Sequence, residues 1–243
     1  MKKKFFLAGL MIFILSAAAC AEVGDYILKD GKIYRVDGKK ETLLEDDEPG
    51  RARTDAGLYS WILVDPELSE GMKNSKPGIY FFIGEDEKPL AFLPIEQAGA
   101  CMIEFSPSGE KLLISRGVEF WQDLILYFVE NGKFVKKKSF ISAAHSFWID
   151  PHRFIFTSID KDKGPRTKEE DDWWNSPALY DTVENDLVIL KNATETKNYF
   201  ITGYDYETGV IDITESSVKN KNDWSDPDKI EYKEITVETP AAG

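Results

Sequence analysis

Cysteine is nearly missing from this 243-residue chain, which has only Cys20 and Cys101. With Cys20 set aside in the leader, no intramolecular disulfide can form, so stability has to come from packing. Histidine is as scarce. His145 and His152 stand seven apart with no cysteine pair beside them, which is no zinc-ligand spacing. No Gly-rich phosphate loop occurs, and Ser115, Ser142 and Ser146 lie in no G-x-S-x-G elbow. Helical periodicity is almost absent. Positive charge is in deficit too: the formal net charge is −13, and removing the lysines of the leader makes it more negative. Such a surface repels phosphate backbones and anionic headgroups, which excludes nucleic acid as a partner. Aromatic residues make up 13% of the chain, enough to exclude disorder.

The N-terminus is rich in what an export signal needs. Lys2, Lys3 and Lys4 precede an uncharged apolar run from Phe5 to Ala19, followed by Cys20-Ala21. The run is shorter than the ~20 residues of a membrane-spanning helix. Residues 1–21 are therefore expected to be a signal peptide, and the mature protein to work outside the cytoplasm. Two cut sites stay open. Ala17-Ala18-Ala19 before Cys20 resembles a bacterial lipobox, which implies a lipoprotein signal over 1–19 and a lipid on Cys20. The usual Leu three residues before the cysteine is replaced by Ala17. Ala17-x-Ala19 and Ala19-x-Ala21 equally fit an ordinary small-x-small cut.

Beyond the leader, ~220 residues suit one repeat or sandwich domain, expected over 22–239 with a tail at 240–243. Short β-rich runs alternate with Gly, Asp, Asn and Pro. Hairpins are predicted from Ile33, Gly78, Leu124 and Leu187, the last pairing Leu187 to Leu190 with Asn198 to Ile201. The clearest turns at Asn131-Gly132, because both residue types accept positive φ. A fifth strand begins at Ile230. Between the hairpins a second unit recurs at 102–114, 147–156 and 204–213, with a remnant at 58–64. Two hairpins every ~45 residues give four strands per repeat, the period of propeller blades.

Phe105-Ser-Pro-Ser-Gly-Glu-Lys-Leu-Leu-Ile114 resembles the F-S-P-D-G-K turn of WD-like repeats in TolB-type β-propellers, with Ser108 where that family has Asp. The resemblance covers one repeat well; elsewhere only Asp150-Pro151 echoes it. It implies an all-β, small β-propeller; the ~45-residue period over ~220 residues gives four to five blades, with closure expected from the strands of 26–44 completing the C-terminal sheet. A β-sandwich is the alternative, since its strands recur at similar spacing.

The long interval holds a polar insertion, 161–176, containing Asp171, Asp172, Trp173 and Trp174. Adjacent tryptophans cannot both point inward on an extended backbone. These four residues are the candidate binding group, suited to a glycan, a cation or a protein hot spot. The bland reading is that a tryptophan pins the loop while the acids are solvated. Asp123, Asp150, Asp172 and Asp181 are the acids that glycoside hydrolysis could draw on, but no spacing pairs them. Asp223, Asp226 and Asp228 lack the glycine and final Glu of a calcium loop. Cys101, in an apolar run, reads as buried and inert, and Lys136 to Lys138 as an outer strand edge. No catalytic residue, metal or cofactor is assigned. The implied function is an exported cell-envelope binding or scaffolding module, its partner an envelope protein or glycan, with membrane contact only through lipid on Cys20. An envelope glycan hydrolase, and an inhibitor or assembly factor of an envelope complex, are the alternatives.

Overall fold

The computed structural model describes residues 26–30, 32–37, 39–43, 49–64, 78–84, 89–94, 101–118, 121–166 and 173–241. The leader with Cys20, the acids Asp171 and Asp172, and the side chain of Cys101 lie outside the described residues. Among the described residues there is no α-helix, and every strand pair with a defined register is antiparallel. The chain divides into two compact units, one of residues 1–51 and 58–97, the other of 52–57 and 98–243.

In the first unit, β1 (Tyr26–Lys29), β2 (Lys32–Asp37) and β3 (Lys40–Leu43) form a three-stranded sheet. A four-stranded sheet runs in sequence order through β4 (Gly50–Thr54), β5 (Gly57–Val64), β6 (Gly78–Ile83) and β7 (Ala91–Pro94). Strand β6 is an apolar run without alternation, Ile79-Tyr-Phe-Phe82, and it is buried on both faces. Tyr26, Leu28 and Ile33 pack on Ile62, Val64, Tyr80 and Phe82 to make the core. Burial of these side chains is what orders such short strands, at roughly 1.5–3 kcal/mol for each large apolar group.

The second unit contains β8 (Cys101–Phe105), β9 (Lys111–Val118), β10 (Trp121–Glu130), β11 (Lys133–Trp148), β12 (Arg153–Ile159), β13 (Asn175–Asp181) and β14 (Asp186–Ile189) in one meandering sheet. Strand β11 is 16 residues long and changes partner at Ser142: its first part pairs with β10, its last part with β12. The register skips Ala144 and His145 at the change. The meander is thus two groups of four strands sharing one long strand. A third sheet holds β15 (Lys197–Asp205), β16 (Val210–Ser217) and β17 (Glu231–Glu238). Its Ile201, Ile211 and Ile213 pack on Ile155 and Leu179 of the meander. The opposite face of the meander carries Leu124, Leu126, Phe140, Trp148, Phe154, Phe156 and Tyr180, a cluster of tilted and edge-on rings.

Most of the expected hairpins are present. Asn131 and Gly132 have φ of 52° and 71°, as the tight turn of β10–β11 requires. In the 105–114 turn, buried Ser106 accepts from the Lys111 N–H, and Ser108 takes the Glu110 N–H that an Asp would take.

Some of the expected pairings and boundaries differ. Leu187 to Leu190 does not pair with Asn198 to Ile201: β14 folds back on β13, and β15 pairs with β16. The turn residues Thr182–Asn185 and Tyr206–Gly209 make those hairpins, Asp181 and Asp205 each accepting two backbone N–H groups. The strands of 26–43 form their own three-stranded sheet, β1-β2-β3. Lys137 is the extra residue of a bulge between Leu126 and Tyr127, so the three lysines do not simply alternate, although that part of β11 does lie at an edge. Nor is 161–176 wholly a loop, because β13 begins at Asn175.

Candidate functional site

The insertion between β12 and β13 builds the most elaborate surface of the second unit. It opens with a 3-10 turn over Lys161–Lys163, whose N-cap Asp160 accepts the Asp162 N–H at 3.2 Å. The Asp160 N–H donates to the Trp174 carbonyl at 3.0 Å, drawing the two ends of the insertion together. Asn198 then clamps the exit: its amide donates to the Trp173 carbonyl at 2.6 Å and its oxygen accepts the Asn175 N–H at 2.9 Å. A buried asparagine facing two backbone groups satisfies polar atoms that would otherwise cost about 1–3 kcal/mol each.

Both sequence-predicted tryptophans are half-buried. Trp173 meets Trp121 of β10 edge-on, with centroids 5.0 Å apart, and Lys161 Nζ sits 3.8 Å from the Trp121 ring centre. The Trp174 ring carries the Arg166 guanidinium at 4.2 Å and Lys163 Nζ at 4.9 Å. Arg166 also stacks on Trp224 at 4.6 Å and donates through Nη2 to the carbonyls of Thr194 and Lys197. Trp224 in turn donates to the Glu195 carbonyl at 2.9 Å. The cations nearest these rings come from the chain itself, which removes the simplest reason to expect a cationic ligand there. Both tryptophans thus meet rings or cations of their own chain.

Beside this knot lies a groove of ≈ 440 Å³. It crosses β11 to β14 and is walled by the 160–163 turn, with Ser139, Ser158, Ser176 and Asn192 supplying its hydroxyl and amide groups. Ser158 and Ser176 are register partners on adjacent strands. The Ser176 hydroxyl accepts the Ala193 N–H at 3.0 Å, whereas the side chains of Ser139, Ser158 and Asn192 make no hydrogen bond among the described residues. Lys163 is paired with Asp160 at 3.1 Å. The groove is polar and internally charge-compensated, fit for hydrogen bonding rather than for acid–base chemistry.

The sequence-level acids are dispersed. Asp150 and Asp181 shape turns: Asp150 accepts the N–H groups of His152 and Arg153 and binds the Arg153 guanidinium at 2.6 Å. Despite partial burial, those bonds hold its carboxyl below the usual range. Asp123 is exposed on β10. His152 is an exposed turn residue as expected, and His145 an exposed residue of the β11 bulge. Asp223 and Asp226 both contact Lys229. Among the described residues, no group of three His, Cys, Asp or Glu side chains converges as a metal site would need.

Two charged residues escaped sequence reasoning. Lys111, in the resemblance motif, is buried; its ammonium donates to the Pro151 carbonyl at 2.9 Å and lies 3.2 Å from His152 Nδ1, and burial lowers its pKa. Glu104 of β8 is pushed up to about 7 by burial, partly offset by the Ser146 hydroxyl at 3.4 Å. Glu104 stands at an ordinary alternating strand position, so only the packing above it could reveal the shift.

No protein-family profile matches the chain, and no curated protein sequence matches it. Among solved structures it is similar to TolB from Acinetobacter baumannii, with TM-score 0.44 and 12% identity over 88% of this chain and 49% of that one. It is also similar to an oligogalacturonate lyase in complex with manganese, with TM-score 0.43 and 11% identity over 85% of this chain and 59% of that one. The chain spans about half the length of these proteins.

Proposed function

We propose that this protein is an exported, envelope-resident binding module built on propeller-type blades, recognising its partner at the groove beside the insertion. Support for the blades comes from the strand count: four strands in β4–β7, four in β8–β11, and four from the end of β11 to β14. Sheet-on-sheet packing is common to a blade and a sandwich, but the shared strand β11 suits successive blades. Support for export comes from the leader and its small-residue cut site, with Cys20 the lipid acceptor where the lipobox is used.

The observation that carries the binding reading is the groove with Ser139, Ser158 and Asn192, whose side chains have no hydrogen-bond partner among the described residues. A photoreactive amino acid at Ser139 or Ser158 should yield a discrete adduct in intact cells, and one at Tyr232, exposed on β17, should not. Equal adduct patterns from all three positions would sink the groove as the recognition surface. Glu104 is the one feature favouring an enzyme, since a carboxyl titrating near 7 suits a general acid. What raises it, however, is burial, opposed by the Ser146 hydroxyl, rather than a second acid, so the two-carboxylate arrangement of glycan hydrolysis gains no support.

A further inference from the structure

We propose that the outer edge of β14 is a docking strand for an extended polypeptide of another protein, apolar at alternate positions and basic at its C-terminal end. The proposal rests on the binding-module reading and supplies its partner class, a protein rather than a glycan. Ile189 and Asn192 line the groove as well, so the edge and the groove form one continuous surface.

Among the described residues, strand β14 pairs with β13 on one side only. All four of its residues are exposed, among them the consecutive aliphatics Leu187 (39%), Val188 (43%) and Ile189 (37%). A strand with one face on a core alternates; three aliphatics in a row in solvent have no such reason to be there. The backbone direction is fixed by Leu190, whose N–H donates to the Pro177 carbonyl. Antiparallel alternation then turns the N–H and C=O of Ile189, and of Leu187, toward the open side. The Leu187 N–H is meanwhile held by the Asp186 carboxylate at 2.9 Å. The remaining donors and acceptors of that edge suit an added strand. By contrast β17, also at an edge, carries Glu231, Lys233, Glu234 and Glu238, the charged protection that β14 lacks.

Charge selects the occupant. Glu184 and Asp186 stand where β14 begins, and the Glu184 carboxylate makes no bond among the described residues. With a net charge of −13, the molecule draws basic segments toward it. An antiparallel partner would lay its C-terminal end over these two acids. A second copy fits less well: two such charges repel, and a four-residue edge buries far less than the ~1,000 Å² expected of a stable interface.

The test uses a fluorescent ten-residue peptide of alternating valine and threonine ending in two arginines, beside a counterpart ending in two glutamates. The arginine peptide should bind roughly fivefold tighter or more, the gain expected from two exposed ion pairs. Exchange of the Ile189 amide should slow in the complex, and the double variant Leu187→Thr/Ile189→Thr, which keeps the strand but removes apolar contact, should weaken binding by roughly tenfold. Equal affinity for both peptides, or no response to the double variant, would overturn the proposal. So would a dimer of the protein that the double variant abolishes. Adducts from Ser139 or Ser158 with no peptide binding would leave the groove reading standing and remove only the strand-addition inference.

Discussion

Single residues show where environment overrides type. Glu104 is an ordinary glutamate in the sequence, yet burial pushes its carboxyl up to about 7, from an ordinary 4.5. Because the folded-state pKa is raised, the contribution to stability is complete below 4.5 and is lost as pH rises toward and through 7. Chemical unfolding between pH 5 and 8 should therefore show a loss on the order of 2–3 kcal/mol that Glu104→Gln flattens. A slope unchanged in that variant would mean the carboxyl is solvated. Arg166 makes the complementary case, a cation that contributes as a plane rather than as a charge. Arg166→Lys keeps the charge but cannot stack on Trp174 and Trp224 while bridging two carbonyls. It should cost about 1–3 kcal/mol in thermal unfolding. Of the residues singled out from sequence, Trp173 and Trp174 were legible as a pair in tension. Which neighbours would meet them was not, because Trp121, Trp224 and Arg166 lie far away along the chain or carry no motif.

Elements were easier to foresee than their partners. Alternating runs and turn residues located most of the strands, though not β4 or β13, and Asn131-Gly132 set the β10–β11 turn. Gly132→Ala should cost roughly 1 kcal/mol or more, since φ of 71° suits no β-carbon. Pairing failed at 187–201 because both runs are genuine strands, and sequence distance alone favoured joining them. The decision was made by Asp181 and Asp205, whose carboxylates cap the turns that send each run to a different neighbour. The aromatic face of the meander is the energetic centre of the second unit. Phe154 is fully buried against four aromatic rings, so Phe154→Ala should destabilise the protein by about 3–5 kcal/mol, read as a lower denaturant midpoint. A smaller loss would show that neighbouring rings collapse into the gap.

At the scale of the whole molecule, the leader and the charge dominate. Intact mass of the mature protein should show an N-terminus at Cys20 with a lipid adduct, or an unmodified start after Ala19 or Ala21; Cys20→Ser should remove the adduct in the first case only. A protein retaining its leader would overturn export.

Composition and local pattern were enough to set the all-β class, the positions of most turns and the sign of the surface field, because each depends on neighbouring residues or on simple totals. Tertiary structure alone decided which strands share a sheet, that β11 serves two groups of four, that the tryptophans are held by cations from the same chain, and that β14 presents aliphatics to solvent. Those outcomes depend on contacts between residues distant in sequence, where small differences in burial and hydrogen bonding choose among partners that local pattern leaves equivalent.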